Sequence, residues 1–496
     1  MKTYETEFCI IAAGPAGLAA AVQAAEEGVS VIVLEKSARV GGVANAGMGL
    51  LGIGTRYQKE QMIDMTVEKA FGMFMDYTHY MVDARLVKRY FAQSAETIEW
   101  LEEMGVEFEG AYRYFPQSEA TWHIVKTGKK IGPGAATFLN RKMAERAEAL
   151  GVQFLMETTA EKILMEAADG SDGRKRAAGV LARTKDGEEI CVRAKAVLVA
   201  TGGAGANPEM MKQETGYTFG KDMFNFAFPG ITGDGLRMAW EAGADHIPVR
   251  VEQSASLGGL TGVPDCVSNV FYQPNLLVNA FGKRVMNEEY MQNTTFLSNV
   301  VSNQKNRTCF SVIDSSIAQY YAEHGVDVVS MVRNDPDVSG FFDGVKTAQE
   351  KGSECPYVAD TLEELAEKMG IDPGTFVETV DAYNGYCDAI DEEFYKAKRF
   401  LKPIYKAPFY ACKVVPSGYG TVGGIRINEN CEACDSAFMP VPGLYAAGAD
   451  ACNIYNDSYM FLLPGNSMGF AVNTGRIAGM EAANYVQDLG EVNLDN

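Results

Sequence analysis

Residues 8–42 read FCIIAAGPAGLAAAVQAAEEGVSVIVLEKSARVGG. The apolar run from Phe8 to Ala12 predicts a short buried strand. Gly14 and Gly17 mark a tight turn, and an Ala-rich stretch to about Glu27 predicts a helix. After Gly28 a second apolar strand, Val29 to Leu34, ends on Glu35. Strand, turn, helix, strand and an acidic tip at this spacing form the unit that binds a dinucleotide. Gly14 lets the backbone approach a pyrophosphate, with Pro15 and Ala16 opening the helix, and Gly17 lets the helix pack on the strand. The helix start offers unpaired N–H groups and a positive dipole end to the phosphates. Glu35 is placed to accept hydrogen bonds from a ribose. The usual pattern opens on Gly, and this chain has Ala12 there, so the motif is AxGxxG. A plain tight turn is the competing reading, and the surrounding elements weigh against it. Gly41 and Gly42 just beyond Glu35 favour FAD over NAD, because a second backbone loop then meets the cofactor.

The chain has 496 residues, enough for about two or three domains. It is 47% hydrophobic, which suits a large core, and no apolar run reaches the roughly 18 residues of a membrane span. The start, MKTYETEF, lacks a signal-peptide pattern, so the cytoplasm is the expected compartment. A formal net charge of −21 argues against nucleic acid or anionic membranes as partners. Ten Cys lie mostly in apolar runs, including Cys9, Cys191, Cys309 and Cys412, and read as reduced core thiols. Cys431 and Cys434 form a CxxC without a second ligand pair, expected on a solvent-facing turn. The His residues show no metal-ligand spacing, and no metal is expected.

Residues 55–103 carry helical periodicity with Gly105 as a stop. Residues 107–133 read as an irregular aromatic loop, with Tyr112, Tyr114, Phe115, Trp122 and His123, expected to border a site. A helix is expected over 134–150 and a strand pair over 152–165. The runs 169–176 and 184–189 read as hairpin turns. A strand ending on Thr201-Gly202-Gly203 gives a second close approach to the cofactor, and residues 231–235, ITGDG, open a helix. From about residue 248 the pattern changes to mixed α and β, including a helix capped by Thr361 and Glu364. The expected organisation is α/β: a Rossmann-like FAD-binding domain over 1–247 and 403–496, interrupted by an inserted α+β capping domain over 248–402.

Ten segments in order resemble the fumarate reductase/succinate dehydrogenase flavoprotein superfamily, including its steroid-dehydrogenase branch. They are AAGPAGLAAA, EKSARVGG, VLVATGG, ITGDG, LLVNAFGKRVMNEE, DTLEELAEKMG, APFYACKV, GTVGGIRIN, GLYAAGAD and NSMGFAVNTGRIAG, spanning residues 8 to 485. The resemblance implies an FAD domain split by a cap, with the active site between them beneath the flavin N5. It implies non-covalent FAD, because VANAGMGLLG after the double Gly has no His to carry a covalent flavin. The expected cofactor contacts are Ala12, Gly14, Pro15, Ala16, Gly17, Glu35, Lys36, Gly41, Gly42, Asn45 and Gly47. Further along they are Ala160, Thr201, Gly202, Asp234, Gly448, Asp450, Asn466, Ser467 and Met468. Asp450 resembles the family's acid that holds the ribityl or ribose. The N–H groups at Asn466 are expected to face the flavin and stabilise its reduced anion.

The substrate side departs from the family. Counting without gaps, its proton-relay Glu and Arg positions hold Ser268 and Phe271, and its proton-donor Arg position holds Gln292. Its two substrate-side His are Tyr419 and Gly420, and its carboxylate-binding Arg is Leu462. A dianion without such partners would cost several kcal/mol per charge, so fumarate and succinate are disfavoured unless Arg250 or Arg284 substitutes. Tyrosine is then expected to move protons or polarise a ketone, with Tyr419 first, Tyr290 and Tyr459 next, then Tyr455, and His123 within reach. The expected activity is reduction or formation of a C=C bond next to a carbonyl in a largely apolar or aromatic small molecule. A separate electron donor or acceptor serves the flavin. The alternatives are an unsaturated-carboxylate reductase, an amine or amino-acid oxidase, and an electron-relay subunit without its own substrate.

Overall fold

The computed structural model describes residues 1–168, 173–225, 228–258, 262–333, 336–456 and 458–492. Its centre is a six-stranded sheet in the order Glu432–Cys434, Pro440–Ala446, Ala196–Val199, Phe8–Ile11, Val31–Glu35, Gln153–Met156. Pairing is parallel except at the Glu432–Cys434 edge. Strands buried on both faces need continuous apolar runs, and FCII, VIVLE and AVLV supply them. The helix Pro15–Glu26 and the closing helix Asn466–Val492 pack together over this sheet. Glycine makes that approach possible: a Cβ on Gly475 would lie 2.2 Å from the Ala16 carbonyl oxygen. Likewise a Cβ on Gly17 would lie 2.0 Å from the Ala12 carbonyl oxygen. Ala12 itself adopts φ 86°, the left-handed region that explains why glycine usually opens this motif.

Two smaller sheets flank the first. One orders Lys2–Glu5, Glu189–Arg193, Lys175–Thr184 and Thr158–Ala167. The two expected hairpins join its antiparallel strands, although residues 169–172 of the first turn lie outside the described residues. The expected strand pair over 152–165 is divided instead: Gln153–Met156 joins the central sheet and Thr158–Ala167 the flanking one. The other small sheet pairs Gly49–Leu51 and Phe108–Tyr112 with Trp122–Val125. Part of the stretch expected to be irregular is therefore strand, paired within itself and with the distant Gly49–Leu51, which no local period announces.

A second hydrophobic core contains Val267, Phe271, Leu277, Val312, Phe376 and Tyr410 around a sheet built on the long strand Phe409–Ile425. That strand pairs antiparallel with His246–Leu257. The pair joins both cores, with Val249 and Val422 in the first and Leu257 and Val414 in the second. This second core is the basis on which we propose a cap, and it draws in Tyr410 and Val414 from beyond the expected boundary at 402. Within it Arg284, almost fully buried, bonds Glu288 and Asp391 through paired contacts of 2.7–2.8 Å.

Two expectations about cysteine are corrected. Cys412 is not a free thiol: it forms a disulfide with Cys355, which the chain fold brings across from residues distant in sequence. Cys431 and Cys434 do not face solvent; both are buried, and no bond joins them. Among the described residues no helix is long and apolar enough to cross a membrane.

Candidate active site

A cavity of about 660 Å³ opens at the carboxyl ends of the parallel strands. Every strand turn that should meet a ligand contributes: Ile11–Ala12, Leu34–Lys36, Ala200–Gly202 and Gly448–Ala449. Ligands bind in open α/β sheets at this crevice, where the strand order reverses. Gly14, Pro15, Ala16, Gly42 and Gly47 line it, as do Ala160, Asp234, Ser467 and Met468. The helix Pro15–Glu26 begins there on Gly14 with no side-chain cap and no acid in its first turn, so its end N–H groups are free for phosphate. Glu35 is locked in place, accepting from Ala13 N at 2.8 Å and Ser37 N at 2.7 Å. Lys36 donates to Asp234 at 2.8 Å and to Thr232 at 3.2 Å. A backbone-walled trough with an uncapped helix end and an ordered carboxylate fits FAD.

Other expected cofactor residues stand behind the wall. Gly17 packs helix on strand, and Gly41 donates its N–H to Ala13 O at 2.7 Å. Asn45 donates to Val40 O and accepts from Asn140 at 2.9 Å. Asp450 is fully buried and accepts from the N–H groups of Thr201, Gly202 and Gly203 and from the Thr201 hydroxyl. It shapes the Thr201–Gly203 turn from behind, whereas the expectation had it hold the cofactor directly. Asn466 is buried and donates to the Leu463 carbonyl, folding the turn that starts the closing helix.

The opposite end of the cavity is aromatic, lined by Tyr114, Trp122, Tyr272, Tyr419, Tyr459 and Phe461. Tyr114 stacks on Phe461 with ring centres 4.9 Å apart, and Phe461 meets Tyr459 edge-on at 4.7 Å. Arg333 enters this end with its guanidinium 3.6 Å above the Tyr272 ring, and it has no acidic partner among the described residues. Glu252 lines the same space from the strand His246–Leu257. Its Oε2 accepts from the Ser467 hydroxyl at 3.1 Å, and Ser467 N donates to the Tyr459 hydroxyl at 3.1 Å. Burial pushes the Glu252 carboxyl up to about 7, against the lowering effect of Ser467 and Tyr459. Burial also raises the phenols of Tyr419, hydrogen-bonded to Ser254, and Tyr459, so both hydroxyls stay protonated.

Of the tyrosines expected to act, Tyr419 and Tyr459 line the cavity. Tyr290 does not: it is 51% exposed on a 3-10 turn away from the wall. Tyr455 is buried beside Tyr459 and outside the lining. His123 is a core residue, bonded to Thr55 at 2.7 Å and held down at about 4 by burial, so it stays neutral. Arg284 is committed to Glu288 and Asp391, and Arg250 is not in the wall. The ungapped counts land close by: Phe271, Gln292 and Leu462 are off the lining, while Tyr272, Thr294 and Phe461 are on it. Sequence reasoning missed Arg333 and Glu252. Neither sits in a motif, and only the tertiary fold brings them to the aromatic end.

The family model for an FAD binding domain matches residues 8–468, and the chain belongs to this family of FAD-binding flavoproteins. It is 32% identical over 493 residues to vinyl phenol reductase of Lactiplantibacillus plantarum, covering 97% of this chain and 96% of that one. Among solved structures, an open flavocytochrome c3 fumarate reductase matches with TM-score 0.69 and 25% identity, over 97% of this chain and 79% of that chain. The fold also matches 3-ketosteroid-Δ4-(5α)-dehydrogenase of Rhodococcus jostii RHA1, with TM-score 0.75, 24% identity and 97% coverage of each chain. The protein is an FAD-dependent oxidoreductase whose fold is shared with fumarate reductase and ketosteroid dehydrogenase structures.

Proposed function

We propose that this protein reduces the C=C bond of a small planar aryl alkene bearing a ring hydroxyl, with FAD bound and electrons delivered by a separate carrier. The observation that carries this reading is the aromatic end of the cavity with Arg333 over Tyr272, a cation without an acidic partner among the described residues. Full-length similarity to a vinyl phenol reductase supports the same substrate class. The bound FAD supplies hydride chemistry. Stacked rings hold a flat substrate, and Arg333 favours a phenolate oxygen, which pushes electrons toward the vinyl group so that its terminal carbon takes a proton. The ring-attached carbon then becomes the hydride acceptor. A dicarboxylate would leave one charge without a cation, which disfavours fumarate.

A second reading, a C=C bond next to a ketone, is favoured by Tyr419 on Ser254, a protonated phenol able to donate to a carbonyl oxygen. One experiment separates the readings. The purified flavoprotein is reduced anaerobically and its reoxidation followed with 4-vinylphenol, styrene, an aryl enone, a 4-ene-3-ketosteroid, cinnamate and fumarate. Fast reoxidation by 4-vinylphenol and slow reoxidation by styrene supports the proposal. Preference for enones moves it to the second reading, and fast reoxidation by fumarate sinks both.

A further inference from the structure

Glu252 stands out among the cavity's acids because no cation among the described residues neutralises it. Lys36 holds Asp234, and backbone N–H groups hold Glu35, whereas no cation faces Glu252 among the described residues. The groups around it are Ser467 and Tyr459 at the start of the closing helix, Tyr419 on the long strand, and Cys452 and Tyr455 beneath. Arg333 lies further off, nearer Tyr419 and Tyr272. A carboxyl enclosed by hydroxyls, a thiol and aromatic rings favours its neutral form, and the Ser467 bond fixes its orientation.

From this geometry we infer that Glu252 is the catalytic acid that gives the alkene its proton. The inference rests on the C=C-reducing reading above. In the step, the π bond is consumed and one C–H bond forms at each carbon. The hydride comes by way of the reduced cofactor, the Glu252 O–H bond breaks to supply the proton, and water reprotonates the carboxylate. The separate electron carrier restores the two electrons. Burial that holds the carboxyl near neutrality suits such a donor, whereas the cavity tyrosines, raised by the same burial, are weaker acids suited to hydrogen bonding.

The test compares wild-type holoenzyme with Glu252→Gln, which keeps an acceptor for Ser467 but cannot titrate, and with Glu252→Asp. The readouts are FAD content, anaerobic reoxidation by 4-vinylphenol against pH, and infrared titration of the protonated carboxyl. In wild type, reoxidation should fall as pH rises through about 7, where the acid ionises, and the carboxyl band should vanish over the same range. Glu252→Gln should retain FAD, lose that band, and reoxidise about 100-fold more slowly without the alkaline fall. Glu252→Asp should restore the alkaline fall. A Gln variant within about threefold of wild type and with an unchanged pH profile overturns the role, since removing a general acid costs more than that. If no alkene reoxidises wild type, the functional reading fails, and the infrared titration still judges Glu252: a carboxylate already ionised at about pH 6 overturns the inference.

Discussion

An arginine held 3.6 Å over the Tyr272 ring, with no acid to pair with among the described residues, keeps its charge available to whatever enters the cavity. Replacing Arg333 by Met keeps its bulk and removes the charge. A hydrogen bond to a charged group contributes about 1.5–3 kcal/mol, so KM for a hydroxylated aryl alkene should rise by roughly 10- to 150-fold. The analogue without the hydroxyl should change little, and equal losses for both would assign Arg333 to packing. Tyr419 is tested separately. Tyr419→Phe removes one hydroxyl donor at the same end of the cavity. FAD content should be unaffected while kcat falls by about 100-fold on carbonyl-bearing alkenes, as losing one oxyanion donor does elsewhere. An unchanged kcat would leave Tyr419 as wall.

At the scale of elements, the cofactor trough depends on two helices that touch through glycine. Gly475 of the closing helix faces the Ala16 carbonyl, and Ala16 lines the trough. A Cβ there would sit 2.2 Å from that oxygen, so Gly475→Ala must push the helix starts apart. Overpacking of this kind costs about 1–3 kcal/mol. The variant should melt earlier than wild type and retain less flavin on gel filtration. Normal retention would show that the helix pair can give without disturbing the cradle.

On the scale of the whole molecule, the second core is organised around a buried ion cluster rather than apolar contacts alone. Arg284 bonds Glu288 and Asp391, and Lys396 lies 3.4 Å from Glu288. Arg284→Met leaves two buried carboxylates short of a cation, a change that costs about 3–5 kcal/mol. The second core should then unfold before the first, read as an early transition in calorimetry; a single unshifted transition would count against this. Acid attacks the same cluster. Burial alone would raise the Asp391 carboxyl, but bonds from Arg284 and from the backbone of Lys396 and Phe394 outweigh it and hold it at about 2. Because that value is depressed, its stabilising contribution is complete above the ordinary carboxylate range and is lost as pH falls toward 2. Wild-type stability should therefore decline over that acid window, and Asp391→Asn should flatten the decline.

What the sequence determined by itself is the part of the molecule written in short-range patterns. Strand, glycine turn, helix and acidic tip lie within residues 8–42, and ordered motifs down to the closing helix carried the FAD family and many of the residues that line the cavity. These features depend on backbone geometry over a few residues, so spacing alone reveals them. The tertiary structure decided what depends on distant partners. It paired Trp122–Val125 with the distant Gly49–Leu51, and joined Cys355 to Cys412. It turned Asp450 toward the Thr201–Gly203 turn and left Tyr290 in solvent. It also brought Arg333 and Glu252 to one cavity end, 81 positions apart in sequence. The chemistry facing the substrate comes from which side chains the fold brings to the cavity, and burial there favours the neutral form of Glu252; neither is expressed at any single position of the chain.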